Sequence, residues 1–340
     1  MTTASPEAVS RTPPPLARFS DLVPYQSQHA EGGIPRQLME VLAANRVFPV
    51  VSPVGLVGRN AAAHLRGWPG LCITIAECVP RNEGPVAHNH TGTLETFFCL
   101  DGAFDIVWGN HLEHAIRLEP GDLCSVPPGV YRAFRNRADH DARLLVLIQG
   151  DRAMSDKIEM PRSIGDQVRR DWGDDVLGRL AGINMRFQGE DAPDFTPEQM
   201  APRIARADRL AAQEMPGLGP VLPLMAPEGG ATAAPVRNWP GLEVALLAGA
   251  PGESRAGTVD GDHREWLVDI GEGDWSVRTV GDGDGADGAG EEIALGRFDM
   301  VAMEPGTTRT VRNRSHRAGR LLVARQGRDT IDPSRIGRAA

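Results

Sequence analysis

The chain has no apolar run of the length a membrane-spanning helix needs, and residues 1–15 lack the basic-then-apolar order of a secretory signal. Both absences make a cytoplasmic protein without a membrane partner the expectation. An excess of basic charge is missing too. Lys and Arg number 36 against 45 Asp and Glu, a net charge of −9, so nothing draws the chain toward phosphate backbones and nucleic acid is not an expected partner. Cysteine is scarce: Cys72, Cys78, Cys99 and Cys124 form no CxxC pair and are too few for a disulfide framework in 340 residues. Buried free thiols are predicted. The stretch GDGDGADGAGEE after Val280 has the acidic spacing of a calcium loop, but its glycine density and lack of flanking helices predict a hairpin tip instead.

What is present begins with length. A chain of 340 residues that is 41% apolar can build two cores. An internal repeat supports that division. PPGVYRAFRN (127–136) returns as EPGTTRTVRN (304–313), and RLLVLIQG (143–150) returns as RLLVARQG (320–327), both at an offset of 177 residues. WPGL at 68–71 recurs at 239–242 with an offset of 171, so the second copy has gained six residues, and the Gly-rich stretch after Val280 is where they are expected. The organisation read from this is an N-terminal extension with a short helix (1–47), a first domain (48–150), a helical linker (151–218), a second domain (219–327) and a C-terminal tail (328–340).

Within each copy, runs such as LCITIAEC, ETFFCL, FDIVW and ARLLVLI are separated by Gly, Pro, Asn and Asp clusters, the rhythm of an all-β barrel or sandwich. Helices are expected outside the copies. Thr196, Pro197 and Gln199 supply an N-cap, a first-turn proline and a capping-box partner for a helix running to about Met215. Another is expected between Ile164 and Leu180, and a third after Pro35.

The strongest chemical signal is GPVAHNHTGTLETFFCLDG (84–102). Strand alternation turns His88 and His90 to one face and Asn89 to the other, and Glu95 opens the next apolar run. Two imidazoles and a carboxylate form a set that holds a divalent transition metal and leaves coordination positions open. His111, His114 and His140 lie in polar turns and are expected to be exposed. Tyr131 should point away from the face that Arg132 shares. Phe97 and Cys99 follow Glu95 at period two, with ordinary barrel packing the expectation for both.

This stretch resembles the first motif of the cupin superfamily, a His-x-His, four residues, Glu, six residues, Gly pattern that His88, His90, Glu95 and Gly102 satisfy. GDLCSVPPGVYRAFRN is similar to the second cupin motif, with Gly121, Pro127, Gly129 and Asn136 in place. Arg132 stands where that motif usually carries its last metal-binding histidine. The resemblance implies a mainly β chain of two cupin jelly-roll barrels, a bicupin, with helical segments before and between them. Its N-terminal barrel would bind a divalent metal at His88, His90 and Glu95, Fe(II) first and Mn, Ni, Cu or Zn as alternatives. The implied activity is a dioxygenase, an oxidoreductase taking O2 and a small anionic substrate that Arg132 orients, since a guanidinium cannot ligate a metal but pairs well with carboxylates. Two alternatives stand beside it: a metal-dependent isomerase or lyase, and a metal-free ligand-binding module in which Arg132 pairs with Glu95.

In the second copy, aligning Glu265 with Glu95 places Thr258 and Asp260 opposite His88 and His90, and Arg309 opposite Arg132. His263 with Glu265 makes a weak ligand set. That barrel is expected to serve structure or homodimer formation.

Overall fold

Several strands here are buried without interruption, and the structure shows why. In Leu71–Cys78, Cys72, Ala76 and Cys78 face the inside of the first barrel, while Leu71, Ile73 and Ile75 face the second. A strand covered on both faces has no reason to alternate. The computed structural model describes residues 13–82, 84–150, 157–188, 195–280 and 292–328. Over these the chain is mainly β, two jelly-roll barrels with helices before and between them.

The first barrel sets a seven-stranded sheet, with Leu94–Asp101, Ala142–Gln149 and Leu71–Cys78 at its middle, against the three-stranded sheet of Arg132–Asn136, Phe104–Trp108 and His114–Leu118. The second barrel repeats the plan with His263–Asp269, Gly319–Gly327 and Leu242–Gly249 in the large sheet and Thr308–Asn313 in the small one. The large sheets pack face to face. Phe48, Ile75 and Phe98 of the first share one core with Val244, Trp266 and Leu322 of the second, and each barrel has a further core inside it.

The barrels also exchange edges. Leu16–Ala17 pairs with Met300 and Val301 of the second barrel, and Arg203–Ala205 pairs with Leu123–Val126 of the first. Each short strand is followed by an arginine that reaches the other barrel, Arg18 to Asp299 at 2.6 Å and Arg206 to Asp122. Gln149 donates to the carbonyls of Trp239 and Pro240, and Gln326 to those of Trp68 and Pro69. The repeated WPGL turns therefore receive the opposite barrel's last strand.

The helical expectations need correcting. Thr196 and Gln199 do form a capping box, but the helix spans only Pro197–Met200. Pro202 ends it, because a proline pushes the residue before it out of helical geometry, and Ala201 is extended at ψ 125°. Residues up to Met215 instead supply Arg203–Ala205 and Gln213–Met215 to the two barrels, so the linker is as much strand as helix. The helix expected between Ile164 and Leu180 is two, Arg162–Trp172 and Asp174–Gly182, divided at Gly173 with φ 87°. Arg36–Leu42 is present, and Tyr25–Glu31, unforeseen, precedes it. The six extra residues fall between Trp275–Val280 and Glu292–Ala294. The hairpin-tip and calcium-loop readings concern 281–291, outside the described residues. Among the described residues no helix is long and apolar enough to cross a membrane.

Candidate metal centre

His88 exchanges backbone hydrogen bonds with Arg132, N to O at 3.2 Å and 2.9 Å, which seats the first histidine beside the small sheet. His90 lies in Asn89–His90, held by Ile158 on one side and by the Gly129 N–H, 2.8 Å from its carbonyl, on the other. Glu95 comes from the opposite sheet, between Val126 and Ile148. The pleat does the rest: Asn89 turns outward and shares a side-chain hydrogen bond with Tyr131, which points away from the trio as expected. Phe97 and Cys99 pack in the barrel core, His114 and His140 are exposed, and the four cysteines are buried thiols outside any disulfide. Burial pushes the Cys78 and Cys124 thiols up to about 12, so they are unreactive.

His88 Nε2 lies 3.9 Å and His90 Nε2 3.5 Å from Glu95 Oε2, and the three ligand atoms lie within 4.8 Å of one another. His88 Nδ1 donates to the Val86 carbonyl at 3.0 Å, which leaves Nε2 with its lone pair facing the carboxylate. Burial lowers His88 to about 4, with His90 and Arg132 adding to the fall against the pull of Glu95 and the Val86 carbonyl. The imidazole is neutral at physiological pH, as a ligand must be. Burial would raise the Glu95 carboxyl, but His90, Arg132 and His88 together hold it well below the usual carboxylate range.

These distances fit a cation. Glu95 Oε2 is buried with no hydrogen bond of good geometry, and His88 Nε2 and His90 Nε2 face it at 3.9 Å and 3.5 Å. Yet both separations are under about 4.2 Å, twice a typical metal–ligand bond, so one ion can reach all three groups with small movements. Among the described residues this is the one cluster of His, Cys, Asp or Glu so arranged.

The trio forms part of the wall of a cavity of about 50 Å³. The rest is mostly apolar, including Leu42, Val47, Phe134, Val146 and Ile148, with Tyr25, Arg59, Asn60 and Thr74 as polar members. Arg59 and Asn60, both buried, come from the connection between Arg46–Pro53 and Leu65–Gly67, and Tyr25 from the N-terminal helix. Sequence reasoning missed all three, since neither a spacing nor a motif marks them. Arg132 is placed differently from the expectation. It is fully buried, absent from the cavity wall, and lies behind Glu95 with Nε 3.0 Å from Oε2 and Nη1 donating to the Val130 carbonyl at 2.7 Å.

The second barrel keeps that pair without the histidines. Arg309 contacts Glu265 at 2.6 Å, as Arg132 contacts Glu95. The ladder corrects the alignment: Gly257 faces Arg309 as His88 faces Arg132, and the Val259 carbonyl accepts from Gly306 as that of His90 does from Gly129. Gly257 and Val259, not Thr258 and Asp260, are the counterparts, because the extra residue sits in the following turn. No side chain fits at Gly257, where a Cβ would lie 1.9 Å from the Gly217 carbonyl oxygen. Arg325, the counterpart of Ile148, pairs with Asp260 and approaches Glu265 to 3.4 Å, so side-chain cations occupy the space that is open in the first barrel. His263 pairs with Asp260 at 2.6 Å rather than joining Glu265.

Residues 76–148 match the family model described as Cupin domain. That match falls on the first barrel, and fold and repeat together give the chain the two-barrel architecture of a bicupin. Among solved structures it is similar to oxalate decarboxylase from Lactobacillus farciminis in its formate complex, at 14% identity and TM-score 0.55, over 95% of this chain and 88% of that one. Oxalate decarboxylase from Bacillus subtilis is similar at 14% identity and TM-score 0.54, over 96% and 79%. At this identity the likeness is one of fold. No curated protein sequence matches the chain.

Proposed function

We propose that the N-terminal barrel is the catalytic half of a metal-dependent enzyme, with His88, His90 and Glu95 holding one divalent cation and a small anionic molecule oxygenated in the cavity beside it. The observation that carries this is the convergence of the three ligand atoms within 4.8 Å on the wall of a largely apolar cavity. Fe(II) is the first choice, because this ligand set leaves positions for both substrate and O2, and Fe(II) held there would supply Lewis acidity and relay electrons from the substrate to O2. The protein's own part is positioning. Val86 fixes the His88 tautomer, Arg132 holds Glu95 from behind, and the apolar wall excludes bulk water. The cavity of about 50 Å³ limits the substrate to a few heavy atoms unless the wall opens.

Two other readings have an observation of their own. The Bacillus subtilis oxalate decarboxylase, described with Mn(II) centres, shares this two-barrel fold and acts on a molecule of the size the cavity admits, which favours a Mn-dependent lyase. The Arg309–Glu265 pair recurs in a barrel where Gly257 and Val259 stand in place of the two histidines, which favours a metal-free binding module. Metal analysis of anaerobically purified protein separates them, followed by oxygen uptake with a panel of small acids. One equivalent of iron is expected in the wild type and in Glu265→Gln, and none in the double variant His88→Ala, His90→Ala. Wild type devoid of metal leaves the binding module, and bound metal without oxygen uptake on any acid favours the lyase.

A further inference from the structure

Arg132 does more than replace a ligand, because it changes the charge of the site. A neutral histidine in its place would leave His88, His90 and Glu95 with a net charge of minus one, since ligating imidazoles are neutral. The guanidinium, permanently charged and with Nε 3.0 Å from Glu95 Oε2, cancels the carboxylate, so the protein groups at the centre sum to zero. A divalent cation bound there keeps both of its charges uncompensated, within a wall of Leu42, Val47, Phe134, Val146 and Ile148 whose one further charged member, Arg59, is itself positive. Uncompensated charge in such surroundings is costly, and a ligand that brings two negative charges removes the cost.

The second barrel shows the same balance reached without an external ion. Glu265 is met by Arg309 at 2.6 Å and by Arg325 at 3.4 Å, the latter paired with Asp260 as well, so side-chain cations supply its counter-charge. The first barrel has Ile148 where Arg325 stands, and His88 and His90 where Gly257 and Val259 stand. It has lost a fixed cation and gained ligands for a removable one, while keeping the arginine behind the carboxylate.

We propose that Arg132 is a charge-setting residue that makes the N-terminal cavity select small dianions, molecules that carry two ionised acidic groups, over monoanions of the same shape. The inference rests on the metal reading above, and it assigns Arg132 to positioning and charge, not to contact with substrate.

The test uses full-length protein loaded with Co(II), whose visible absorption reports ligation, and two probes that differ by one charge, malonate and its monoamide malonamate. Wild type is expected to bind malonate more than tenfold tighter than malonamate, and Arg132→Gln to lose about tenfold of that preference, the scale of one charge at close range. Arg132→Lys keeps the charge and should keep the preference. Competition against a chelator gives a second readout: Co(II) should bind about tenfold tighter to Arg132→Gln than to wild type, because a cation beside the metal has gone. Equal affinity of the wild type for both probes overturns the proposal, with no variant needed. So does an unchanged preference in Arg132→Gln that retains Co(II). Wild type that takes up no Co(II) sinks the metal reading and this proposal together, whereas bound Co(II) without charge selectivity sinks this proposal alone.

Discussion

Arg132 and Arg309 hold equivalent carboxylates in two barrels of which only one has histidines beside the carboxylate, so the pair serves the fold before it serves any ligand. Removing one partner of a buried pair leaves the other unpaired, which costs about 3 to 5 kcal/mol. Arg132→Ala should therefore melt well below wild type when metal-free. Added Co(II), a new positive partner for Glu95, should recover much of the loss. Melting curves with and without the metal check both halves of that expectation. Asp269 supplies a pH dependence. Burial raises its carboxyl to about 6 against the hydrogen bond from the Gly271 N–H, and repulsion from Asp299 and Asp274 adds to the rise. A folded-state value above the unfolded one means the folded protein binds the proton more tightly. The contribution to stability is full below pH 4 and lost as pH rises through about 6. Asp269→Asn stays neutral and keeps an acceptor for Gly271, so it should match wild type near pH 4 and exceed it by about 2 to 3 kcal/mol at pH 8. Denaturant titrations at the two pH values measure the difference, and equal curves at pH 8 would refute it.

At the scale of elements, the exchanged strands decide how the barrels are tied. Asp122 accepts from the Glu119 N–H at 3.0 Å and the Ala207 N–H at 3.4 Å and pairs with Arg206, which fastens Arg203–Ala205 to the first barrel. Asp122→Ala should cost about 2 to 3 kcal/mol, the scale of buried donors left unmatched. Amide exchange should speed up first at residues 203–207; uniform acceleration across the chain would argue against a local fastening. The same arrangement joins Arg18 and the Phe19 N–H to Asp299. LARFSDL (16–22) and IARADRL (204–210) are copies of this device, a repeat too weak to stand out in the chain because only three residues in seven match. The helix past Thr196 failed for a different reason. Its capping signal was real, but Pro202 arrives after one turn and pairing with a neighbouring barrel takes the residues beyond it.

At the scale of the molecule, the core between the large sheets holds Trp266, Phe98, Phe48 and many aliphatic partners, and neither barrel can cover its half alone. Burial of this kind couples the two units, so calorimetry should show one cooperative transition whose calorimetric and van't Hoff enthalpies agree. Two resolved transitions would mean that the barrels unfold independently. The sequence by itself determined the repeat, the β class, and the meeting of His88, His90 and Glu95, because pleat parity and short-range spacing decide which way neighbouring side chains point. Only the tertiary structure decided that Arg132 lies behind Glu95, that Gly257 and Val259 are the true counterparts of the histidines, and that Arg59, Asn60 and Tyr25 close the cavity. Those outcomes depend on ladder register across separate strands and on segments distant in the chain, and residue spacing carries no information about either.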